Sequence, residues 1–374
     1  MSKVYRIGVI GVAHSHIDSN VMAFATCGDK VKFVACADLK PLVPSKTHEP
    51  GTRNFLMDWC RDNYGMKQYD DYRTMLAENE IDIALVCAEN AFHPALIEDL
   101  LLRGIHVVVE KPLAANMQGA MRIARAVEAS GKEVFINWPT AWSPAVRQAK
   151  KLCDAGEIGK LFKFTFRNSD SQGALSYGQI MTDAEKGAEW WHQSKPGGGS
   201  MLDYCCYGSC MSGWFLGEDP VGAYGLKANF GSPYASAEDY ATITVRFPSS
   251  VAILEGSWST VNTGIPNGPI MYGLEGTMVV DNNEIRVYKH RHVTKPDLVI
   301  SEPEPLPEGR ENLGKEVLHH LETGEPVFEM LSLKRNLTAM SILDAGARSA
   351  TSGNMVFTND GHWCIGEDDY LTVR

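Results

Sequence analysis

Residues 5–16 have the sequence YRIGVIGVAHSH, an aliphatic run that leads through glycines into small and polar residues. A helix-like stretch follows from Asp18 to Cys27. A buried strand, a tight turn and a helix open a dinucleotide-binding unit, in which the helix N-terminus faces the pyrophosphate. This stretch predicts a parallel sheet with a dinucleotide site at the end of its first strand.

The glycine fingerprint of this turn is incomplete. Gly11 supplies the first glycine, but Ala13 replaces the second and His16 replaces the third. Partial matches also occur in ordinary strand-to-helix turns, and the histidines could simply cap the helix start, so the turn alone leaves both interpretations open. If it binds a dinucleotide, we expect these residues to line the site: Gly8, Gly11, Ala13, His14 and Ser15.

Asp38 strengthens the dinucleotide interpretation. It follows the second predicted strand, Val31 to Ala37, and comes 22 residues after His16. A carboxylate at this point accepts hydrogen bonds from the adenosine ribose hydroxyls of NAD and repels the 2′-phosphate of NADP. The sequence therefore predicts NAD as the cofactor and disfavours NADP, although Lys40 is a nearby cation that could help to hold the phosphate.

The chain has 374 residues, which is too long for one ordinary core, so two domains are expected. Short aliphatic runs alternate with helix-period segments to about residue 136, which is typical of parallel strands covered on both faces. Later strands such as Ala241 to Phe247 alternate apolar and polar residues, which is typical of an antiparallel sheet with one buried face and one solvent-exposed face. We predict an α/β fold with a doubly wound, parallel Rossmann sheet in residues 1–136. An α/β domain with a large, mainly antiparallel open sheet is predicted for residues 137–374.

Composition and charge exclude several partners. The net charge is −11 without any run of Lys and Arg, so neither nucleic acid nor an anionic membrane is expected to bind. No apolar run approaches the ~20 residues of a membrane span, and the N-terminal residues lack a signal-peptide core. The nine cysteines suit reduced thiols, so a cytoplasmic location is expected. Cys206 and Cys210 lack the further Cys or His residues of a familiar metal site, so no metal is predicted.

The triplet Glu110-Lys111-Pro112 ends another aliphatic run, Ile105 to Val109. The lysine is thereby predicted at the carboxyl edge of the parallel sheet, where α/β folds bind their ligands. Together with the turn, this position suggests a nicotinamide enzyme with a lysine beside the reacting carbon.

Several segments resemble the glucose-fructose oxidoreductase, inositol dehydrogenase and rhizopine catabolism (Gfo/Idh/MocA) family. They are the N-terminal glycine turn, Asp38, CAENAFH at residues 87–93, the Glu-Lys-Pro triplet, GEIGK at 156–160, GGGSMLDYCCY at 197–207 and EDYA at 238–241. The resemblance runs nearly from end to end. It implies a Rossmann domain, then an α/β domain whose open sheet forms the interface of a homodimer or homotetramer. It also implies oxidation or reduction of a secondary alcohol of a sugar, cyclitol or related polyol.

The resemblance assigns roles to individual residues. Lys111 would contact the substrate hydroxyl near the nicotinamide, and Asp203 would hold the substrate or orient the proton-transfer residue. The cofactor's ribose and nicotinamide would be positioned by Asn90, His93 and Glu110.

The chain also departs from the family pattern. Tyr207 stands where many members have a histidine, as in the glucose-fructose oxidoreductase and dimeric dihydrodiol dehydrogenase branches. A phenol needs a nearby cation to act as a base at neutral pH, and Lys111 could be that cation, with Asp203 on the same helix face. The alternative is a core tyrosine on a helix from Leu202 to Phe215. Ala88-Glu89 replaces the usual Thr-Pro, and Ala141 replaces a common arginine.

A long polar, glycine-rich segment from Ser169 to Ser200 either folds over the site or is a surface excursion. Within it, His192 could line the substrate pocket or pack the loop. Trp142 is a further candidate for substrate contact.

Three functions remain open from the sequence. The favoured one is an NAD-dependent sugar or polyol dehydrogenase. The second is a glycosidase or lyase that uses transient oxidation by NAD without net NADH accumulation. The third is a cofactor-sensing regulator without chemistry, which would be expected to lack Lys111 or the Asp203 and Tyr207 pair, whereas all three are present.

Overall fold

The computed structural model of the protein describes residues 3–169, 181–261, 264–292 and 294–359. Two β-sheets organise these residues, one with six strands and one with nine. In the described part of the chain, no helix combines the length and the apolar character needed to cross a bilayer.

The first sheet is entirely parallel. Its strands are β1 (Tyr5–Val12), β2 (Val31–Ala37), β3 (Lys67–Tyr69), β4 (Ile83–Cys87), β5 (His106–Glu110) and β6 (Val134–Asn137). They lie in the order β3-β2-β1-β4-β5-β6, and every neighbouring pair is parallel. The order reverses between β1 and β4, which is the switch point where doubly wound sheets bind ligands. The predicted Rossmann sheet is confirmed.

Five helices connect these strands. They are α1 (Ile17–Ala25), α2 (Arg53–Tyr64), α3 (Tyr72–Glu78), α4 (His93–Leu102) and α5 (Met117–Ser130). Helix α5 ends at Ser130, because Gly131 adopts the left-handed conformation at its C-terminus with φ 64°. Its start is fixed by Asn116, whose side chain accepts a hydrogen bond from the Gly119 N–H.

The second sheet is mixed and mostly antiparallel. Its strands are β7 (Leu161–Ser169), β8 (Gly222–Ala228), β9 (Tyr240–Arg246), β10 (Val251–Ser257), β11 (Ile270–Gly273), β12 (Gly276–Asp281), β13 (Glu284–Tyr288), β14 (Leu298–Ile300) and β15 (Val356–Phe357). They lie in the order β14-β13-β12-β11-β7-β10-β9-β8-β15, and β7 with β10 is the parallel pair. The predicted large open sheet is confirmed.

Helices pack on one face of this sheet. The helices after β6 are α6 (Pro144–Asp154), α7 (Asp183–Lys186), α8 (Cys206–Leu216), α9 (Leu313–Thr323) and α10 (Leu333–Ser352). Helix α8 contacts β7 and β10, and α10 contacts β8 and β9. Residues on that side of β9, such as Ile243 and Val245, are fully buried. The opposite side exposes Tyr224, Leu226, Val251 and Ile253.

Helix α9 returns to the Rossmann sheet and packs on α1. Lys30 Nζ donates to Glu322 Oε2 at 2.8 Å, and Gly314 lies so close that a methyl group there would be 2.6 Å from the Ala23 carbonyl oxygen. A segment distant in sequence thus packs on the first helix of the Rossmann sheet.

Candidate active site

The turn after β1 passes very close to the loop after β4. Gly11 has φ 79°, and a Cβ there would lie 2.7 Å from Ala88 Cβ. Only glycine fits both the conformation and the space. The backbone N–H of His14 donates to the Cys87 carbonyl at 3.0 Å, which holds the turn against the end of β4.

Asp38 lies at the end of β2 beside a cavity of about 850 Å³. Its Oδ1 accepts a hydrogen bond from the Val12 N–H at 3.1 Å, and its Oδ2 accepts one from Arg53 Nη1 at 2.7 Å. Arg53 also donates to Glu89 Oε1 and to the Leu39 carbonyl. Burial raises the pKa of Glu89, and Arg53 opposes that rise. Sequence analysis predicted Asp38 but missed Arg53, because nothing local marks a contact between residues so far apart.

Lys111 and Asp203 meet across the two domains. Lys111 Nζ donates to Asp203 Oδ1 at 2.6 Å and to the Asp203 carbonyl at 2.9 Å. Lys111 is buried, with 2% of its surface exposed, directly after β5. Burial alone would lower its pKa, but Asp203 and the weaker influences of Tyr207, Cys206 and Glu110 together outweigh burial and raise the pKa, so the amine stays charged. For Asp203, burial likewise opposes ionisation, but the charge of Lys111 and its hydrogen bond bring the pKa of Asp203 below the usual range.

Asp203 belongs to a π-helical turn, Met201–Cys205, that runs directly into α8. Such turns often occur at functional sites, because the extra residue changes the direction of a side chain. This element was expected as an ordinary helix, and the wider turn is a correction. Tyr207 follows in the first turn of α8 and also reaches Lys111.

Tyr207 presents its ring face to Lys111, with Nζ 4.8 Å from the ring centroid. The ring stacks on Phe166 and meets Trp138 edge-on. Burial raises the pKa of the Tyr207 hydroxyl above its usual value, and Lys111 offsets only part of the rise. The phenol therefore keeps its proton at neutral pH in this state. Lys111 was expected to bring this pKa down, but the pKa is raised, because burial has a larger effect than Lys111.

His14, His16 and Glu110 form a cluster behind the turn. His16 Nδ1 lies 2.9 Å from Glu110 Oε1, and His14 Nδ1 accepts the His16 backbone N–H at 3.1 Å. Burial lowers the pKa of His14 to about 3, so His14 is neutral and its Nε2 carries the proton. Burial opposes the ionisation of Glu110, but the contact with His16 and the charge of Lys111 lower its pKa to about 2.

The same cluster offers three ligand atoms within 4.8 Å of one another, which is a possible metal site. Glu110 Oε2 already accepts hydrogen bonds from Asn20 at 3.3 Å and Asn137 at 3.4 Å, so hydrogen bonds alone account for the arrangement. Trp142 joins this network by donating to Asn137 Oδ1 at 3.1 Å. Neither asparagine was singled out by sequence analysis, because each lies in an ordinary helix or strand.

Asn90 and His93 hold the loops around the site together. Asn90 Nδ2 donates to the Gly197 carbonyl at 2.8 Å. The ring nitrogens of His93 lie 3.2 Å from the Leu113 carbonyl and 3.1 Å from the Ala88 carbonyl. These contacts connect the loop after β4 with the loop after Lys111 and with the glycine triplet.

The described part of the long polar segment, residues 181–200, folds against the turn after β1. Trp190 Nε1 donates to the Ala13 carbonyl at 2.7 Å. His192 Nδ1 lies 2.8 Å from the Lys186 carbonyl, and its ring meets Tyr234 and Trp258 edge-on. Burial lowers the pKa of His192 to about 4. Residues 170–180 of this segment lie outside the described part of the chain.

Comparison with known proteins identifies two domains of one family. Residues 5–138 match the profile described as an oxidoreductase family with an NAD-binding Rossmann fold (GFO_IDH_MocA). Residues 146–279 match the GFO/IDH/MocA C-terminal domain. The chain belongs to the Gfo/Idh/MocA oxidoreductase family. Its first domain is an NAD-binding Rossmann domain.

Two curated relatives are similar over part of their length. The chain is 23% identical over 220 residues to the oxidoreductase YrbE of Bacillus subtilis, with 57% of this chain and 59% of that protein covered. It is 26% identical over 203 residues to dTDP-3,4-didehydro-2,6-dideoxy-alpha-D-glucose 3-reductase of Actinomadura kijaniata, with 51% and 57% covered. The chain therefore spans somewhat more than half of these relatives.

A solved structure is similar in fold over nearly the whole chain. The WlbA dehydrogenase from Bordetella pertussis, in complex with NADH and UDP-GlcNAcA, superposes with a TM-score of 0.71. The alignment covers 95% of this chain and 98% of that chain at 17% sequence identity. At this identity, the likeness shows a shared fold.

Proposed function

We propose that this protein is an NAD-dependent oxidoreductase that interconverts a secondary alcohol and a ketone on a sugar, cyclitol or related polyol. The observation that supports this proposal most strongly is the contact between Lys111 and Asp203. It places a buried ammonium group and a carboxylate of the second domain at the carboxyl edge of the NAD-binding sheet.

The residues around the switch point suit a dinucleotide. Gly11 lets the turn after β1 pass close to the loop after β4, and Asp38 faces a cavity whose volume lies within the ~300–1,000 Å³ of ordinary ligand pockets. Asp38 would hold the adenosine ribose, and the turn from Gly11 to Ser15 would hold the phosphates beside the start of α1. Gly8 lies within β1, and we propose that it helps to position the turn that follows this strand. When bound, the nicotinamide supplies hydride chemistry at the substrate carbon.

Asn90, His93 and Glu110 would position the nicotinamide half by fixing the loops against which it rests. Their hydrogen bonds to backbone carbonyls and to His16 already hold these loops in place.

Lys111 would bind the reacting oxygen of the substrate and stabilise negative charge that develops on it. Tyr207 would exchange the proton with this oxygen, and its raised pKa suits donation to a ketone in the reducing direction. Asp203 would orient Lys111 and bind a neighbouring substrate hydroxyl. His192 and Trp142 remain candidates for more distant substrate contacts.

We further propose that residues 1–136 serve the cofactor and that residues 137–374 bind substrate and form a homodimer or homotetramer. The partly apolar outer face of the second sheet supports this assembly.

A substrate panel tests the proposed function. Purified protein is mixed with sugars, inositols, glycosides and the corresponding ketoses, with either oxidised or reduced NAD and NADP, and followed at the reduced-cofactor absorbance with product analysis. We expect turnover of at least one hydroxylated substrate class with NAD. Cleavage of a glycoside without net NADH would instead indicate a lyase or glycosidase. Cofactor binding without any conversion would favour a regulator.

A further inference from the structure

Arg53 lies between two carboxylates at the edge of the Rossmann sheet. Its Nη1 donates to Asp38 Oδ2 at 2.7 Å and to the Leu39 carbonyl at 3.1 Å, and its Nη2 donates to Glu89 Oε1. The side chain of Arg53 is 7% exposed and that of Glu89 is 1% exposed. The guanidinium group is thus held on three acceptors that come from the ends of β2 and β4.

The charges of this group do not cancel. One guanidinium faces two carboxylates, so the cluster carries one excess negative charge when both acids are ionised. The charge lies where little water reaches, and charges are screened much less there than on an open surface. An anionic group that approaches Asp38 therefore meets net repulsion, even though an arginine is present.

The cluster borders the cavity in which the adenosine half of a dinucleotide would lie. Asp38 and Arg53 line this cavity, as do two further basic side chains, Lys40 and His48. Arginine, lysine and histidine beside the adenosine ribose would ordinarily favour the 2′-phosphate of NADP. What opposes that preference here is the pairing of Arg53 with carboxylates.

We propose that Glu89 is a specificity-determining residue that selects NAD by holding Arg53 away from a 2′-phosphate. Glu89 stands directly before Asn90, in the segment where the chain departs from the usual Thr-Pro of the family. With Glu89 in place, Arg53 supports the Asp38 carboxylate that receives the ribose hydroxyls. Without the charge of Glu89, the arginine is available to a phosphate. This inference rests on the proposed use of a dinucleotide.

The substitution Glu89→Gln isolates the charge. Glutamine keeps the size of the side chain and an oxygen that can accept from Arg53. Glu89 Oε2 is buried without a hydrogen-bond partner in the described structure, so replacing this oxygen with an amide nitrogen breaks no contact. We expect the ratio of the dissociation constants for NADPH and NADH to fall by about tenfold or more, with NADH binding changed by less than about threefold.

The matched control is Asp82→Asn. Asp82 also pairs with an arginine, since its Oδ2 accepts from Arg6 Nε at 2.8 Å, although the Arg6 side chain is 38% exposed. Asp82 precedes β4 and lies at the opposite edge of the same sheet. Removing the charge of Asp82 should leave the ratio of the dissociation constants for NADPH and NADH within about twofold of the wild-type ratio. The double variant with Glu89→Gln and Arg53→Gln should lose the gain in NADPH binding, because the gain depends on the freed guanidinium.

Calorimetric titration of each variant with NADH and NADPH measures the two dissociation constants, so the cofactor preference is determined without any substrate turnover. The proposal would be overturned if Glu89→Gln left the ratio of the two dissociation constants unchanged, or if Asp82→Asn changed this ratio equally. It would also be overturned if Glu89→Gln weakened the binding of NADH and NADPH in parallel. If Glu89→Gln does not fold, Glu89→Ser is measured with the same expectation. Failure of the wild-type protein to bind either dinucleotide would contradict the proposed function itself, whereas binding without turnover would leave the specificity result intact.

Discussion

Tyr207 shows how burial and charge compete at one residue. Its ring packs between Phe166 and Trp138, and Lys111 lies over the ring face. Burial disfavours the phenolate more strongly than the ammonium group favours it, so the pKa of the hydroxyl is raised. A phenol that retains its proton is suited to protonate a ketone oxygen, and it becomes a base only where the pH is high.

The substitution Tyr207→Phe tests this role. The phenyl ring keeps the packing against Phe166 and Trp138, so the fold should persist. We expect kcat for ketone reduction to fall by about 10²-fold or more, because a positioned proton donor contributes about this much. The pH profile of the wild-type protein gives a second measure. Because the pKa is raised, reduction should stay level through neutral pH and decline only in the alkaline range, and alcohol oxidation should rise with pH. An unchanged kcat in the variant would remove Tyr207 from the reaction.

Single residues also mark the limit of prediction from sequence. Lys111, Asp203 and Asp38 stand in recognisable patterns, and the structure brings Lys111 and Asp203 into direct contact, which the patterns did not specify. Arg53 and the pairing of His16 with Glu110 could not be predicted. Residues 94 positions apart form the second contact, and no local pattern encodes such a distance.

At the level of elements, the glycine triplet has a steric explanation. A methyl group at Gly198 would lie 2.4 Å from the Trp191 carbonyl oxygen and 2.6 Å from that of Gln193. At Gly199, φ is 111° and a Cβ would meet the Glu238 carboxylate. The triplet therefore allows the segment with Trp190 and His192 to fold tightly before the π-helical turn that carries Asp203.

The substitution Gly198→Ala should disrupt this folding. We expect a loss of about 1–3 kcal/mol in the free energy of unfolding, as for other overpacked sites, together with a lower kcat because Asp203 shifts. The control is Gly231→Ala, where the nearest atom to a new Cβ is 3.5 Å away. Thermal unfolding of both variants measures the change in stability, and steady-state kinetics measure the change in kcat. Equal stability of the two variants would contradict the steric explanation.

Helices and strands were predictable where they are long and periodic. Strand β2 has the predicted bounds, Val31–Ala37, and β9 lies within one residue of the predicted strand from Ala241 to Phe247. Strand β3 is only three residues long, Lys67–Tyr69, and has no apolar run, so sequence analysis did not find it. The π-helical turn before α8 was missed because its sequence differs little from that of a regular helix.

For the whole molecule, the outer face of the second sheet is a surface that exposes several large apolar side chains. Ile253 is paired with Thr244 on one side and Thr165 on the other, and it is 39% exposed in the middle of the sheet. Tyr224 and Leu226 are exposed on β8 nearby. A sheet that exposes apolar residues on a broad face suits a symmetric contact with a second copy.

The substitution Ile253→Lys should weaken this assembly. A buried lysine at a two-fold contact is placed near its own copy, so both desolvation and repulsion oppose association. We expect light scattering after size exclusion to show a smaller species than the wild-type protein. The control is Leu102→Lys on α4, a residue that is 60% exposed on the Rossmann domain. A monomeric wild-type protein, or an unchanged size for Ile253→Lys, would refute this interface.

The account as a whole requires that the charge of Lys111 acts on the substrate. The measurement that tests this most directly is kcat of Lys111→Met beside calorimetric NADH binding by the same variant. Methionine keeps the unbranched, apolar part of the buried side chain but removes the charged terminal amine. We predict that kcat falls by about 10²–10³-fold, while the dissociation constant for NADH changes by less than about threefold. A folded variant that binds NADH and retains kcat within about threefold of the wild-type value would contradict the account.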